Sequence, residues 1–376
     1  MKNRLRAFAL CIVLALTFPG YTLAARLGPA ATYEELLSLA ASASQGDTLL
    51  VAGDITASPA APLAADVPLL IRGADGGATI TGLSLESASV EFSDLILLNG
   101  LRVRGNSHVQ IMRGVSVLGG VDFAGSGALL IDPGAAVEGM PGSPGVSVSH
   151  RGGDLYISID GTVRGGAGDA GGSAVEIDPL GASGALMITG TLLGGAGDAF
   201  GGNALNLHNL TGNAYITVDG RLTGGAGNIG GVGLQLITAD GSVTAGIGGR
   251  ITGGRGNSYG GDALMLMNVG GSASVALSGM LTGGDSSGTD SVPGQSLKLL
   301  GRTTAMRTSV GDCILEDGRQ VLFSIAVTPL PAITSSVDDP SVLVTPEPTP
   351  AAPEQTPAPQ PTPEPPVATD GEASAQ

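Results

Sequence analysis

Apolar residues alternate with polar ones through the middle of the chain, in short runs that recur at a nearly constant interval. Within each run they stand two positions apart, the period of a β-strand that buries one face. The first set of predicted inward residues is Ile157 and Ile159, Leu186 and Ile188, Ile216 and Val218, Ala245 and Ile247, and Val275 and Leu277, with Val163, Leu192, Leu222, Ile251 and Leu281 after each pair. The second set is Val175 and Ile177, Leu205 and Leu207, Leu234 and Leu236, and Leu264 and Leu266, separated by the outward-facing Glu176, Asn206, Gln235 and Met265. The pattern predicts two or three short strands in each repeat.

Glycine pairs mark the same interval. They begin at Gly165, Gly194, Gly224, Gly253 and Gly283, so the steps are 29, 30, 29 and 30 residues. A fixed period of this size is typical of a solenoid, in which each repeat buries its apolar face against its neighbours. Because glycine adopts positive φ without a Cβ penalty, we expect the pairs to form corners between the strands of a parallel β-helix.

One polar column lies between the two glycine pairs of each repeat and consists of Asp169, Asp198, Asn228 and Asn257. Stacked at about 4.8 Å, such side chains cap their own turn and bond the next repeat, so we interpret the column as a structural turn ladder. Calcium held by Asp169 and Asp198 is the alternative, because GGAGDAGGS is similar to the calcium-binding RTX nonapeptide. The aspartates come one residue early and the motif occurs once per repeat, which favours the ladder. No cofactor is predicted.

The ends of the chain differ from the repeats. Basic residues followed by an apolar run from Ala7 to Phe18 predict a secretory signal peptide. Thr32 and Glu35 form a capping box, which predicts a helix that ends at Gly46 and covers the first coil. The predicted organisation is a signal peptide (1–24), an N-terminal capping helix (25–46), a short-coil β-helix (47–160), Gly-rich repeats of 29–30 residues (161–301), a C-terminal cap with a turn at Asp317 and Gly318 (302–328), and a disordered Pro/Thr/Glu-rich tail (329–376).

Composition narrows the possible partners. The chain of 376 residues has 63 glycines, 3% aromatic residues and a net charge of −16, which becomes about −19 without the three basic residues of the leader. Such a charge repels nucleic acid and anionic lipid, and no membrane span is predicted in the mature chain. Cys313 is the one cysteine beyond the leader, so no intramolecular disulfide is predicted. It is interpreted as a buried core residue, with an intermolecular bridge as the alternative.

The segments GDTLLVAGD and PLLIRGADGGATITG, between Gly46 and Gly82, resemble the first coils of secreted right-handed parallel β-helix proteins of the pectin-lyase-like superfamily. The resemblance covers roughly residues 30 to 300. It implies a right-handed parallel β-helix, all-β in class. The superfamily contains polysaccharide lyases and hydrolases as well as non-catalytic adhesins and surface proteins, so the resemblance leaves the activity open.

Candidate chemistry is sparse along the repeats. The candidates are a surface patch of Glu176, Asp178 and His208, and a column of Asp160, Thr189 and Asp219 that places two carboxylates two repeats apart. Glycoside chemistry needs paired carboxylates at set separations, whereas solvated polar decoration is the simpler interpretation of both groups. The scattered histidines predict neither a catalytic triad nor a zinc site.

Phe200 and Tyr259 occupy the same repeat position, two repeats apart. We expect their rings to fill gaps at glycine corners, and a joint projection from one edge is the alternative.

These patterns favour a secreted or cell-surface bacterial protein, a non-enzymatic β-solenoid that acts as a structural or adhesin-like module. The expected partners are cell-wall or extracellular polysaccharide, or a host surface. A carbohydrate-active enzyme, a polysaccharide lyase or hydrolase of the pectin-lyase-like type, is the alternative.

Overall fold

Parallel strands joined by tight turns make up most of the described part of the chain. The structure is a computed structural model, and it describes residues 24–150, 152–180, 183–210, 212–239, 242–269, 273–300 and 307–315. The chain divides into two units, Met1–Val327 and Thr328–Gln376, and every described residue belongs to the first. The predicted signal peptide, all but its last residue, and the predicted tail lie outside the described residues.

Helix α1 spans Tyr33–Ser42. The strands before the glycine-rich repeats are β1 (Arg26–Ala30), β2 (Thr48–Thr56), β3 (Leu69–Glu86), β4 (Ser89–Ser93), β5 (Ile96–Ile111), β6 (Ser116–Leu118), β7 (Val121–Ile131), β8 (Ala136–Glu138) and β9 (Val146–His150). The later strands are β10 (Asp154–Ile159), β11 (Thr162–Arg164), β12 (Gly168–Ala170), β13 (Val175–Leu180), β14 (Ser183–Ile188), β15 (Thr191–Leu193), β16 (Gly197–Phe200), β17 (Leu205–Leu210), β18 (Asn213–Val218), β19 (Arg221–Thr223), β20 (Gly227–Ile229), β21 (Leu234–Ala239), β22 (Val243–Ile247), β23 (Arg250–Thr252), β24 (Gly256–Tyr259), β25 (Leu264–Val269), β26 (Ser274–Thr282), β27 (Leu297–Leu300) and β28 (Arg307–Leu315).

Strands from successive repeats pair in parallel, and equivalent positions lie opposite each other. β10 pairs with β14 from Asp154 opposite Ser183 to Ile159 opposite Ile188, and β18 and β22 continue this column. β11, β15, β19 and β23 form a second column, and β13, β17, β21 and β25 form a third. Within the described residues these columns belong to one sheet of 24 strands, the main sheet. The in-register parallel stacking is consistent with the predicted solenoid.

The core lies between these columns, and the sequence pattern predicted its members. Every residue of both predicted inward sets has 2% or less of its surface exposed. The residues between the second-set pairs, such as Glu176 and Gln235, are partly exposed. The register of the repeats is therefore confirmed, because a slip by one residue would exchange the two faces.

Glycine has two different roles in the fold. In the short coils, Gly82, Gly100 and Gly120 adopt φ of 71°, 80° and 82°, and Leu83 lies opposite Leu101, which lies opposite Val121. The expected positive φ is therefore present in these turns. It is absent from the glycine pairs of the repeats, where the prediction was wrong. Those glycines are needed because neighbouring backbones approach too closely for a side chain.

A continuous series of backbone hydrogen bonds, the glycine spine, connects these pairs along the stack. Within a repeat, the N–H of Gly172 donates to the carbonyl of Gly166 at 2.8 Å, and between repeats the N–H of Gly195 donates to the carbonyl of Gly172 at 2.8 Å. The same alternation continues through Gly202, Gly225, Gly231, Gly254, Gly261, Gly284 and Gly294. A methyl group at Gly195 would overlap the carbonyl oxygen of Gly166. The spine closes each inter-pair segment at its base, including the longer one from Gly284 to Gly294.

Helix α1 begins with the predicted capping box. The N–H of Glu35 donates to Thr32 Oγ1 at 3.2 Å, and the Glu35 carboxylate accepts from the N–H of Thr32 at 3.3 Å. Tyr33, Leu36 and Ala40 bury the inner face of the helix against the core. The Tyr33 hydroxyl donates to the carbonyl of Ala61, and burial raises the pKa of this phenol.

A strand that sequence patterning did not predict, β1, precedes α1 and pairs in parallel with β2. Its sequence, RLGPA, lacks the alternation that identified the other strands. At the other end, β28 continues the parallel stack against β26, while the predicted turn at Asp317 and Gly318 lies outside the described residues. In the part that the structure describes, no helix is both long and apolar enough to cross a membrane.

Candidate functional site

A second, smaller sheet lies between the two glycine pairs of each repeat. The four short strands β12, β16, β20 and β24 pair in parallel in that order and form what we call the minor sheet. Each repeat thus contributes four strands where the sequence predicted two or three. The segments stack at the strand spacing because the glycine spine holds their bases in register, and this lets their backbones pair.

The polar column, which the sequence predicted to form a turn ladder, lies in this minor sheet. Asp169, Asp198, Asn228 and Asn257 belong to β12, β16, β20 and β24 respectively, so they occupy strands where a turn was expected, and all four are exposed. Ser258 Oγ donates to Asn228 Oδ1 at 2.9 Å, and Ser287 Oγ donates to Asn257 Oδ1 at 3.3 Å. Two asparagines are therefore linked to the following repeat through serine hydroxyls. The ladder across all four positions stays a prediction.

A β-bulge explains why the repeat length alternates between 29 and 30 residues. Ala170 lies opposite Phe200, Phe200 opposite Ile229, and Ile229 opposite Tyr259. The register shifts between β12 and β16 and again between β20 and β24, because β16 and β24 contain one residue more. The extra residue of the longer repeats is thus absorbed in the minor sheet. A bulge changes the direction in which the neighbouring side chains point.

The aromatic side chains of the minor sheet project into solvent. Phe200 is 55% exposed and Tyr259 is 53% exposed, so the expectation that they fill gaps was wrong and the alternative is correct. The glycine that follows each ring, Gly201 or Gly260, lies directly against backbone atoms of the next repeat, so this corner leaves no gap for a ring to fill. We define the aromatic column as Ala170, Phe200, Ile229, Tyr259 and Val292, the last of which bridges to Tyr259.

The surface patch proposed from sequence is not joined by hydrogen bonds. Asp178 Oδ1 accepts from Asn209 Nδ2 at 2.7 Å, and His208 Nε2 lies 2.7 Å from Asn206 Oδ1. Glu176 lies in β13, two residues before Asp178, and is half-buried. Asp178 and His208 are therefore each paired with an asparagine of the same region, and the sequence did not point to these partners because asparagine carries no acid–base signal.

In the column of Asp160, Thr189 and Asp219, Asp160 is also hydrogen-bonded to neighbouring side chains. The Thr189 hydroxyl donates to Asp160, which also accepts from Ser158 Oγ at 3.3 Å. Asp219 is exposed one repeat further on. His150 is buried, and its Nε2 lies 3.2 Å from the carbonyl oxygen of Gly153. Among the described residues, no group of three or more His, Cys, Asp or Glu side chains is arranged to hold a metal ion.

One cleft near the N-terminus was not predicted. It is an open cleft of about 410 Å³, and its lining includes Arg26, Arg72, Gly73 and Asp94. Arg72 Nε and Asp94 Oδ2 form an ion pair at 2.9 Å, about half exposed on both sides. An exposed pair of this kind contributes little free energy. The sequence pattern does not reveal it, because its members come from different coils.

Comparisons with known proteins add no relative. A scan against family models, a search of curated proteins and a search of solved structures each return no match to this chain.

Proposed function

We propose that this chain is a secreted or cell-surface bacterial protein, a right-handed parallel β-helix of the pectin-lyase-like type with α1 as its N-terminal cap. Its function is that of a non-enzymatic, adhesin-like binding module. The parallel in-register stacking supports the architecture, and the resemblance of the first coils supports the handedness and the superfamily. A secreted protein without an internal disulfide relies on this repetition for its stability.

The observation that carries the proposal is the exposed aromatic column of the minor sheet. Two rings that are more than half exposed occur in equivalent positions of a repeated structure. Contiguous exposed apolar groups on a soluble protein mark surfaces that bind a partner. A column that repeats along the stack fits a partner that is itself extended.

The enzymatic alternative rests on the carboxylates of the coil faces. A glycoside hydrolase places two carboxyl groups on either side of the scissile bond. Here Asp160 accepts hydrogen bonds from two hydroxyls and Asp178 from an amide. These contacts support a role for both side chains in linking neighbouring residues.

The test uses protein recovered from the medium of a secreting culture. We expect it to sediment with bacterial cells, isolated cell walls or host cells, without releasing unsaturated or reducing ends from neutral or acidic polysaccharides. Product release that disappears in Asp160→Asn or Asp178→Asn would establish the enzymatic alternative. A protein that binds none of the three surfaces would contradict the adhesin-like function.

A further inference from the structure

The minor sheet carries two columns of exposed groups, at neighbouring positions of its strands. The aromatic column offers Phe200 and Tyr259, and the adjoining polar column offers carboxylates at Asp169 and Asp198. From this pairing we infer that the minor sheet binds an extended, uncharged polysaccharide that runs along the stack, with sugar rings on the aromatic side chains. The inference rests on the proposed binding function and names its ligand class.

The spacing of the two rings fits a ligand that repeats. Phe200 and Tyr259 are separated by one intervening strand, and two parallel-strand steps correspond to about 9.6 Å. Ile229 lies between them and Val292 follows Tyr259, so apolar contact continues along the column. The C–H groups on the face of a pyranose ring are weakly positive and pack against the negative face of an aromatic ring. A linear glycan offers such a face on each successive sugar.

The polar column offers sugar hydroxyls both acceptors and donors of hydrogen bonds. The carboxylates of Asp169 and Asp198 only accept hydrogen bonds. The side-chain amides of Asn228 and Asn257 use their oxygens to accept from serine, and in the described part of the chain their Nδ2 groups donate to no other residue. Sugar hydroxyls both donate and accept, so they satisfy each of these groups.

Charge selects against acidic polysaccharides. The chain carries a net charge of −16, and two of the four polar-column positions are carboxylates. Arg255, next to β24, supplies one positive charge near the other end of the column. A polyanion laid along the minor sheet would meet Asp169 and Asp198 directly and be repelled.

A proline-rich peptide is the strongest competitor. A polyproline II helix rises about 9.3 Å per turn, close to the separation of the two rings. Its backbone carbonyls accept hydrogen bonds and its prolines lack N–H donors, so both carboxylates would lose water without gaining a partner. The polar column therefore favours the glycan over the peptide.

The test measures binding of the full secreted protein by co-sedimentation with cellulose and chitin and by affinity electrophoresis in soluble neutral β-glucan. Parallel arms use polygalacturonate and a proline-rich peptide. The variants are Phe200→Ala, Tyr259→Ala and the double variant. Tyr215→Ala is the matched control, because this tyrosine is 58% exposed but lies in β18 of the main sheet.

We expect each single variant to weaken binding to a neutral glycan by about two- to tenfold, and the double variant by about the product of the two effects. Tyr215→Ala should bind like the wild type. All variants should keep the wild-type melting temperature, since the rings are exposed, and a variant that melts earlier is compared at a temperature where it remains folded.

Absence of binding to all neutral glycans would overturn the inference, and so would equal losses in Tyr215→Ala. Tighter binding to polygalacturonate or to the peptide, lost in the double variant, would assign the minor sheet to that ligand. Self-association in sedimentation velocity that the double variant abolishes would assign it to a second copy of the chain. A protein that still binds cells while failing these glycans would retain the proposed function and lose only this ligand class.

Discussion

Each inward residue of the repeats is packed above and below by its own equivalents. Ile188 lies between Ile159 and Val218 and has no exposed surface. Burial of such a side chain stabilises the fold by about 1.5–3 kcal/mol. A polar substitution in one repeat therefore also affects the repeats on both sides of it.

Ile188→Asp should lower the free energy of unfolding by several kcal/mol, because it buries an unpaired charge among apolar side chains. Thr191→Asp should be near neutral, since Thr191 is partly exposed and lies opposite Arg221. Denaturant titrations of both variants measure the difference. Equal losses would mean that the two positions do not differ in burial.

Asp47 links the start of the described chain to the end of α1. Its carboxylate accepts from the N–H groups of Ala25 and Ser44, both at 2.8 Å. These two bonds favour the ionised form and hold the pKa of Asp47 below its ordinary value. The resulting stabilisation is present above the unfolded-state pKa of about 3.9 and is lost as pH falls through the lower folded-state pKa.

Asp47→Asn should therefore lower the melting temperature at neutral pH, because one of the two backbone donors loses its acceptor. The difference from the wild type should shrink as pH falls below about 4, where the protonated acid resembles the amide. Thermal melts from about pH 7 to pH 2 follow this convergence. A difference that stays constant with pH would show that charge has no part in the effect.

Sequence patterning predicted the buried residues well and the exposed aromatics badly. Alternation identifies a face such as that of Ile188 because the strand period is two. Phe200 and Tyr259 follow glycine-rich segments with no period, and their exposure depends on the bulge and on the close backbone contacts of the glycines that follow them. Neither cause can be inferred from the residues next to them in the chain.

At the scale of elements, the glycine spine separates the minor sheet from the core. Gly195 shows the requirement: its N–H bonds to Gly172, its carbonyl accepts from Gly202, and its Cα faces the carbonyl of Gly166. Glycine is present here because two backbones are in contact. The positive φ that sequence reasoning expected belongs to other glycines.

Gly195→Ala should destabilise the protein by about 1–3 kcal/mol, because the added methyl group forces neighbouring strands apart. The matched control is Gly152→Ala. Gly152 has no atom within 4 Å of an added Cβ and does not adopt positive φ, so alanine there should be neutral or slightly stabilising. Denaturant titration compares the two, and similar values would argue against close backbone contact as the reason for the spine.

The minor sheet itself could not be predicted from the sequence. Gly-Asp-Ala and Gly-Asn-Ile have neither the length nor the apolar alternation of a strand. They form strands because equivalent segments of neighbouring repeats lie beside them. The capping box of α1 was predictable because its two residues are close in sequence.

At the scale of the molecule, each repeat contacts mainly the repeat before it and the repeat after it. The pairing of β14 with β10 and β18 shows this arrangement. Stability in such a stack is approximately a sum of repeat terms and neighbour interfaces. Whole repeats are therefore separable units, provided that the register on both sides is kept.

Deletion of residues 165–223 joins Arg164 to Gly224 and removes one 29-residue and one 30-residue step. We expect a cooperatively folding protein whose melting temperature falls by only a few degrees, because the new neighbours have apolar inward residues at equivalent positions. Deletion of residues 165–178 removes part of one repeat and should prevent cooperative unfolding. Differential scanning calorimetry distinguishes the two, and loss of folding in both would show that repeats are not interchangeable.

The hydrogen bond at the base of each inter-pair segment has an evolutionary consequence. Gly172 closes on Gly166 over a short segment, and Gly294 closes on Gly284 over a longer one, with bonds of 2.8 Å and 2.9 Å. The residues enclosed in this way can change in length and chemistry while the core beneath them keeps its side chains. Selection can therefore change the length and chemistry of this surface without altering the residues that hold the protein together.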